Sequence, residues 1–202
     1  MIKIGRYGAL NIVLHPHPEG SYESLFRDAA RFAVPVNYYG ERFAKLSPIT
    51  ETRDGVFSGR LATWSEVDTD GNLIDKETLN EMLFAEANIA LPRGVGFNSR
   101  VFTFAFRVSD HRLFFELIND ENEKLSVGAA QKIFARILEQ ALPGQQELSV
   151  HVVSSSTSVR QVLDTPGLKK IEIEVDLPNP DVLTAKKGEV IGILRAMRAK
   201  KM

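Results

Sequence analysis

Residues 100–118 read RVFTFAFRV, then SDH, then RLFFELI, and the fold is decided in that stretch. In an extended chain successive side chains point to opposite faces. Phe102, Phe104, Phe106 and Val108 therefore share one side of a strand, and Val101, Thr103, Ala105 and Arg107 share the other. Ser109-Asp110-His111 supplies a turn, and residues 112–118 return as a second strand, which makes a β-hairpin. With Phe97, Phe114 and Phe115 the segment has the aromatic content of a single-strand-binding platform. Three phenylalanines on one strand face nevertheless predict a core.

Downstream, Ser126 opens an amphipathic helix in which Val127, Ala130, Ile133, Phe134, Ile137, Leu138 and Ala141 form one stripe, closed by Pro143-Gly144. A short connection should bring this stripe back over the phenylalanines. Residues 148–153 then read as a strand, 157–163 as a short helix, 170–177 as an alternating strand, and 189–201 as a basic amphipathic helix. Upstream, 2–14 reads as a first strand that stops at His15-Pro16-His17-Pro18, and Ser21 is placed to cap a helix over 21–33. Residues 55–68 have strand character and end in the turn chemistry of Asp68-Thr69-Asp70-Gly71-Asn72. Leu79, Met82 and Leu83 are spaced for a short helix over 75–85, and 89–91 for a brief strand. The fold class expected is α+β: an antiparallel or mixed sheet with a central hairpin, covered by helices.

The chain has 202 residues, 44% hydrophobic and 25% charged, the composition of an ordinary globular protein. It has no cysteine, which excludes disulfides, thiolate metal sites and a cysteine nucleophile. No apolar run is long enough to span a bilayer, and the first residues lack the features of a signal peptide. A cytoplasmic protein, bacterial or phage in origin, without membrane association is expected. The net charge is −1, unevenly spread: residues 186–202 carry +5 and residues 1–185 carry −6. A single α+β domain over 1–185 and a basic C-terminal helix over 186–202 follow. Lys186, Lys187, Arg195, Arg198, Lys200 and Lys201 are the candidate phosphate contacts.

His15-x-His17 with Glu19 has the donor types of a zinc or iron site, but two histidines among prolines read more simply as a stiffened loop. Asp68–Asn72 has its glycine and glutamate out of register for a calcium loop, and Gly94-Val95-Gly96 lacks the third glycine of a dinucleotide fingerprint. Ser154–Ser158 reads as a loop and cap rather than a phosphate cradle. His111 is expected at a solvated turn, without a catalytic role. Trp64 is read as core, ahead of interface anchor or stacking platform. No catalytic residue and no cofactor is assigned.

Phe102–Phe106, His111–Glu116, Trp64, Ile171-Glu172-Ile173 and Pro178-Asn179-Pro180-Asp181 together resemble an uncharacterised family found in phages, prophages and bacterial defence islands. A more distant, fold-level likeness is to the lambda phage exclusion protein Rex, a non-specific DNA binder. The family resemblance implies a further helical segment, of which residues 186–202 are the start. It also implies a non-enzymatic role in phage–host conflict, with a partner that is DNA, RNA or a phage or host protein, and a homo-oligomer. Two alternatives come from other classes: an acidic inhibitor of a nucleic-acid enzyme, using the −6 body, and a metal-assisted nuclease or hydrolase built on His15, His17, Glu19 and His111.

Overall fold

The computed structural model describes residues 6–153, except 33, 52–54, 88, 93, 143 and 145. The chain divides into two units, Met1–Val152 and Val153–Met202, and the architecture below is that of the first. The elements expected over 157–163, 170–177 and 189–201, the boundary at 185/186, Ser154–Ser158 and the six basic tail residues lie outside the described residues.

In chain order the strands are β1 (Tyr7–His15), β2 (Val36–Tyr39), β3 (Arg42–Leu46), β4 (Thr50–Glu51), β5 (Val56–Ser65), β6 (Asn72–Ile74), β7 (Glu81–Leu83), β8 (Phe97–Arg107), β9 (Arg112–Glu116) and β10 (Glu147–Val152). Two α-helices, α1 (Ser21–Arg31) and α2 (Val127–Glu139), join them. The main sheet runs β10-β1-β9-β8-β5-β3-β2, with β4 also on β5, and β6-β7 form a separate pair. Every pairing is antiparallel. The fold is broadly α+β, strand-rich and with few helices, and the hairpin β8–β9 lies at the centre of the sheet.

Alternation sorts this sheet into two faces. Leu10, Ile12 and Leu14 of β1, Phe57 and Leu61 of β5, Phe102, Phe104 and Phe106 of β8, and Leu113 and Phe115 of β9 are all buried. They meet Ala130, Ile133, Phe134, Ile137 and Leu138 of α2 and Tyr22, Leu25, Phe26 and Ala29 of α1 in one core. The phenylalanine stripe is shared between the helices. Phe104 meets Phe134 edge-on at 5.4 Å, whereas Phe106 stacks on Phe26 of α1 at 4.0 Å. Two rings are accommodated by glycine on the neighbouring strand. Gly8 pairs with Phe115 and Gly59 with Phe104, and a Cβ at Gly8 would lie 2.5 Å from the Phe115 ring.

Local chemistry sets the helix ends. Ser126 caps α2, its hydroxyl accepting from the Ala129 N–H at 3.2 Å. At α1 the cap position falls to Gly20, whose φ of 80° suits glycine. Ser21 is instead the first helical residue, and its hydroxyl donates to the Pro18 carbonyl at 2.5 Å.

The helix expected over 75–85 is replaced by the hairpin β6–β7 followed by a short 3-10 turn, Phe84–Ala87. Asp75 accounts for the difference. Its carboxylate accepts from the N–H groups of Glu77 and Thr78 at 2.8 and 2.9 Å, so its side chain closes a turn in place of helical bonds. Leu79 then takes φ 60°, which no helix tolerates. Residues 89–91 form no strand.

Candidate functional site

Both helices cover the same face of the sheet, so among the described residues no helix covers the opposite face. Its residues are the other alternation set: Arg60, Ala62 and Trp64 on β5, Val101, Thr103, Ala105 and Arg107 on β8, Arg112, Phe114 and Glu116 on β9, and Ala9 and Asn11 on β1. Phe114 sits mid-sheet, paired with Ala105 on one side and Ala9 on the other. Those two small neighbours leave its ring standing above the surface, partly exposed.

Three arginines share this face of the sheet with the ring, and one of them touches it. The Arg107 guanidinium lies 5.3 Å from the Phe114 centroid, within cation–π range. Arg107 also pairs directly with Arg112 across the hairpin, a like-charge placement that costs stability in a sheet. Asp110 offsets it, accepting from Arg107 at 2.8 and 2.5 Å and lying 3.7 Å from Arg112. The Arg107 hydrogen bond, and secondarily the two guanidinium charges, hold the Asp110 carboxyl below the usual carboxylate range. The same contact raises the Arg107 pKa. Two guanidiniums share one carboxylate here, and Arg60 is exposed on the next-but-one strand, so the local balance is positive. Glu116 is turned to the backbone, accepting from the Thr103 N–H at 2.7 Å.

The open face ends at Trp64. The indole stacks with Phe43 of β3 at 6.4 Å and 22°, and its Nε1–H donates to Glu66 at 3.3 Å. Gly96 passes beneath it so closely that any Cβ there would fall inside the indole. Trp64 is thus outside the buried core, contrary to expectation, because Phe57, Leu61 and Thr63 take the inward parity of β5. Beside it opens a cleft of about 650 Å³, lined by Trp64, Glu66, Val67, Pro92, Val95 and Phe97 among others. A smaller polar recess of about 60 Å³ has Tyr38, Arg42, Thr63, Ser65, Asn98 and Arg100 in its wall, and the pairings Ala44↔Thr63 and Thr63↔Arg100 put it on the face of the sheet opposite the indole.

The histidines separate. His15 is exposed at the end of β1, and Glu19 is exposed in the turn before α1. His17 turns inward, its ring 6.2 Å from that of His111. His111 is buried, not solvated: it takes φ 55° at the hairpin turn and stacks on Tyr22 at 4.0 Å. The structure therefore brings together two of the four residues of the expected hydrolase set. Among the described residues no three His, Asp or Glu side chains are grouped to hold a metal ion.

Residues 3–202 match the model of a family described as a domain of unknown function, DUF4747. The chain belongs to that family. No curated protein and no solved structure matches it. No helix among the described residues of this DUF4747 chain is long and apolar enough to cross a membrane.

Arg60, Arg107 and Arg112 are residues that sequence reasoning passes over, and it weighs Phe114 only as one of the segment's aromatics. A signal for one of them is present: Phe114 and Phe115 are adjacent in a strand, so only one can face the core.

Proposed function

We propose that this chain is a non-enzymatic binding protein of phage–host conflict that holds single-stranded nucleic acid on the open face of its sheet. The observation that carries the reading is the arrangement around Phe114, a partly exposed aromatic ring with the Arg107 guanidinium beside it and Arg112 and Arg60 elsewhere on the same face, which both helices leave bare. Bases stack on exposed aromatic rings irrespective of sequence, and guanidiniums neutralise the phosphates between them. The paired arginines support it further, because a like-charge pair that costs fold stability is expected where a ligand uses it. Resemblance to phage and defence-island proteins supports the biological setting, and the +5 tail adds candidate phosphate contacts at Lys186, Lys187, Arg195, Arg198, Lys200 and Lys201.

Fluorescence anisotropy of a labelled single-stranded oligonucleotide tests this. Phe114→Ala should weaken binding by about 1–3 kcal/mol, the range for one base–aromatic stack. Unchanged affinity in a folded variant would remove the open face as the site, and absence of any binding by the unaltered chain would favour a protein partner.

A further inference from the structure

On the face of the sheet that the helices cover, the inward parity turns from apolar to polar at one end. Ala44, Leu61 and Phe102 are buried in the core. The next residues of the same parity are Arg42 on β3, Thr63 and Ser65 on β5, and Arg100 on β8. Because β5 lies between β3 and β8, the two arginines approach the Thr63–Ser65 floor from opposite sides. With Tyr38 and Asn98 they wall the polar recess of about 60 Å³.

Two β-bulges shape that wall. On β2 the register slips between Asn37↔Phe43 and Tyr39↔Arg42, which makes Tyr38 the extra residue. On β8 it slips between Thr63↔Arg100 and Ser65↔Phe97, so β8 carries one residue more than β5 there, and Asn98 takes φ 51°. Bulges re-aim side chains and recur beside functional sites, as does the left-handed conformation in a residue other than glycine. Here two separate bulges bring Tyr38 and Asn98 to one recess.

The charge of the recess is positive. Arg100 lies 3.8 Å from Glu123 with its side chain 43% exposed, and Glu123 is also held by the Asn119 amide at 2.8 Å. Arg42 lies over the Tyr39 ring at 5.9 Å and is in no ion pair among the described residues. Guanidinium forks match the oxygens of a phosphate and bind it through short, charge-assisted hydrogen bonds. The hydroxyls of Ser65, Thr63 and Tyr38 and the Asn98 amide are further donors. The volume holds roughly four to six atoms the size of a water, which fits one phosphate group and excludes a base or a sugar.

From this convergence we infer that the recess is a binding site for a single phosphate group, held between Arg42 and Arg100 over Thr63 and Ser65. It lies on the opposite face of the sheet from Phe114, so the inference stands apart from the nucleic-acid reading. Inorganic phosphate and the phosphate end of a small monoester present the same chemistry.

Isothermal titration of the full-length protein with sodium phosphate, in phosphate-free buffer at constant ionic strength, tests it. Saturable binding is expected, and sodium chloride in its place should give none. Arg42→Gln and Arg100→Gln should each weaken phosphate binding about tenfold or more, the worth of a hydrogen bond to a charged group, with the thermal melt kept near wild type. Arg42→Lys keeps the charge without the fork and should fall between. Lys132→Gln, which removes an exposed cation of α2 outside the recess, should bind phosphate as the unaltered chain does. Displacement of inorganic phosphate by phenyl phosphate assigns the site to a monoester, and phosphate binding that phenyl phosphate leaves untouched assigns it to the free ion. No saturable binding of either, or binding that survives both arginine substitutions undiminished in folded variants, overturns the inference.

Discussion

The two faces of strand β8 come from one stretch of alternating sequence and meet different fates. Phe102, Phe104 and Phe106 are closed over by α1 and α2, whereas Val101, Thr103, Ala105 and Arg107 look out beside Phe114 and Arg112. The inward face is aromatic throughout and makes the fold. The outward face is small, charged and only singly aromatic, and an arginine pair there opposes the sheet's own stability. Substitutions inward should therefore be read in the melting temperature, and substitutions outward in binding.

The largest effect expected is from Phe104→Ala. Its ring packs on Phe134 in a fully closed interior, and the cavity left should cost about 3–5 kcal/mol, measured by chemical denaturation. A wild-type melt would place the phenylalanines outside the core. Gly8→Ala comes next, because the added methyl meets the Phe115 ring. Overpacking of this kind costs about 1–3 kcal/mol, and a thermal scan of the variant checks it. The outward counterpart Phe114→Ala should cost no more than about 1 kcal/mol of stability while lowering oligonucleotide affinity.

Asp110→Asn sharpens the comparison at the hairpin turn. Because Arg107 depresses the folded-state pKa of Asp110, the carboxylate contributes stability above its unfolded pKa and loses it as pH falls through the folded one. The variant should melt slightly below wild type at neutral pH and converge with it in acid. A gap that persists in acid would assign the effect to something other than this ion pair. The smallest effect is that of Asp75→Ala, which should speed amide exchange at Glu77 and Thr78 without moving the global melt, since β6–β7 pair only with each other.

The same contrast explains what was legible in the sequence. The β8–β9 hairpin and α2 were readable because their apolar residues repeat at a single period and are buried on a single face. Residues 75–85 mislead because Leu79, Met82 and Leu83 mimic helical spacing, while Asp75 and the positive φ of Leu79 decide the local structure through backbone bonds that no apolar pattern reports. Trp64 reads as core from the sequence, whereas its parity on β5 follows only once Phe57 and Leu61 are known to face inward. The burial of His111 required α1 to bring Tyr22 beneath the turn, a long-range contact. Of the open face, the adjacent Phe114 and Phe115 were the legible part, and the arginine cluster emerged only with the register of β8 on β9.

The salt dependence of oligonucleotide binding tests the central claim most directly. Each phosphate contact removed lowers the slope of log affinity against log salt by about 0.7 for a single strand. A chain carrying Arg60→Gln, Arg107→Gln and Arg112→Gln should keep its fold by circular dichroism and lose about 2 units of that slope, roughly three contacts' worth. An unchanged slope in the folded triple variant would contradict the assignment of binding to the open face of the sheet.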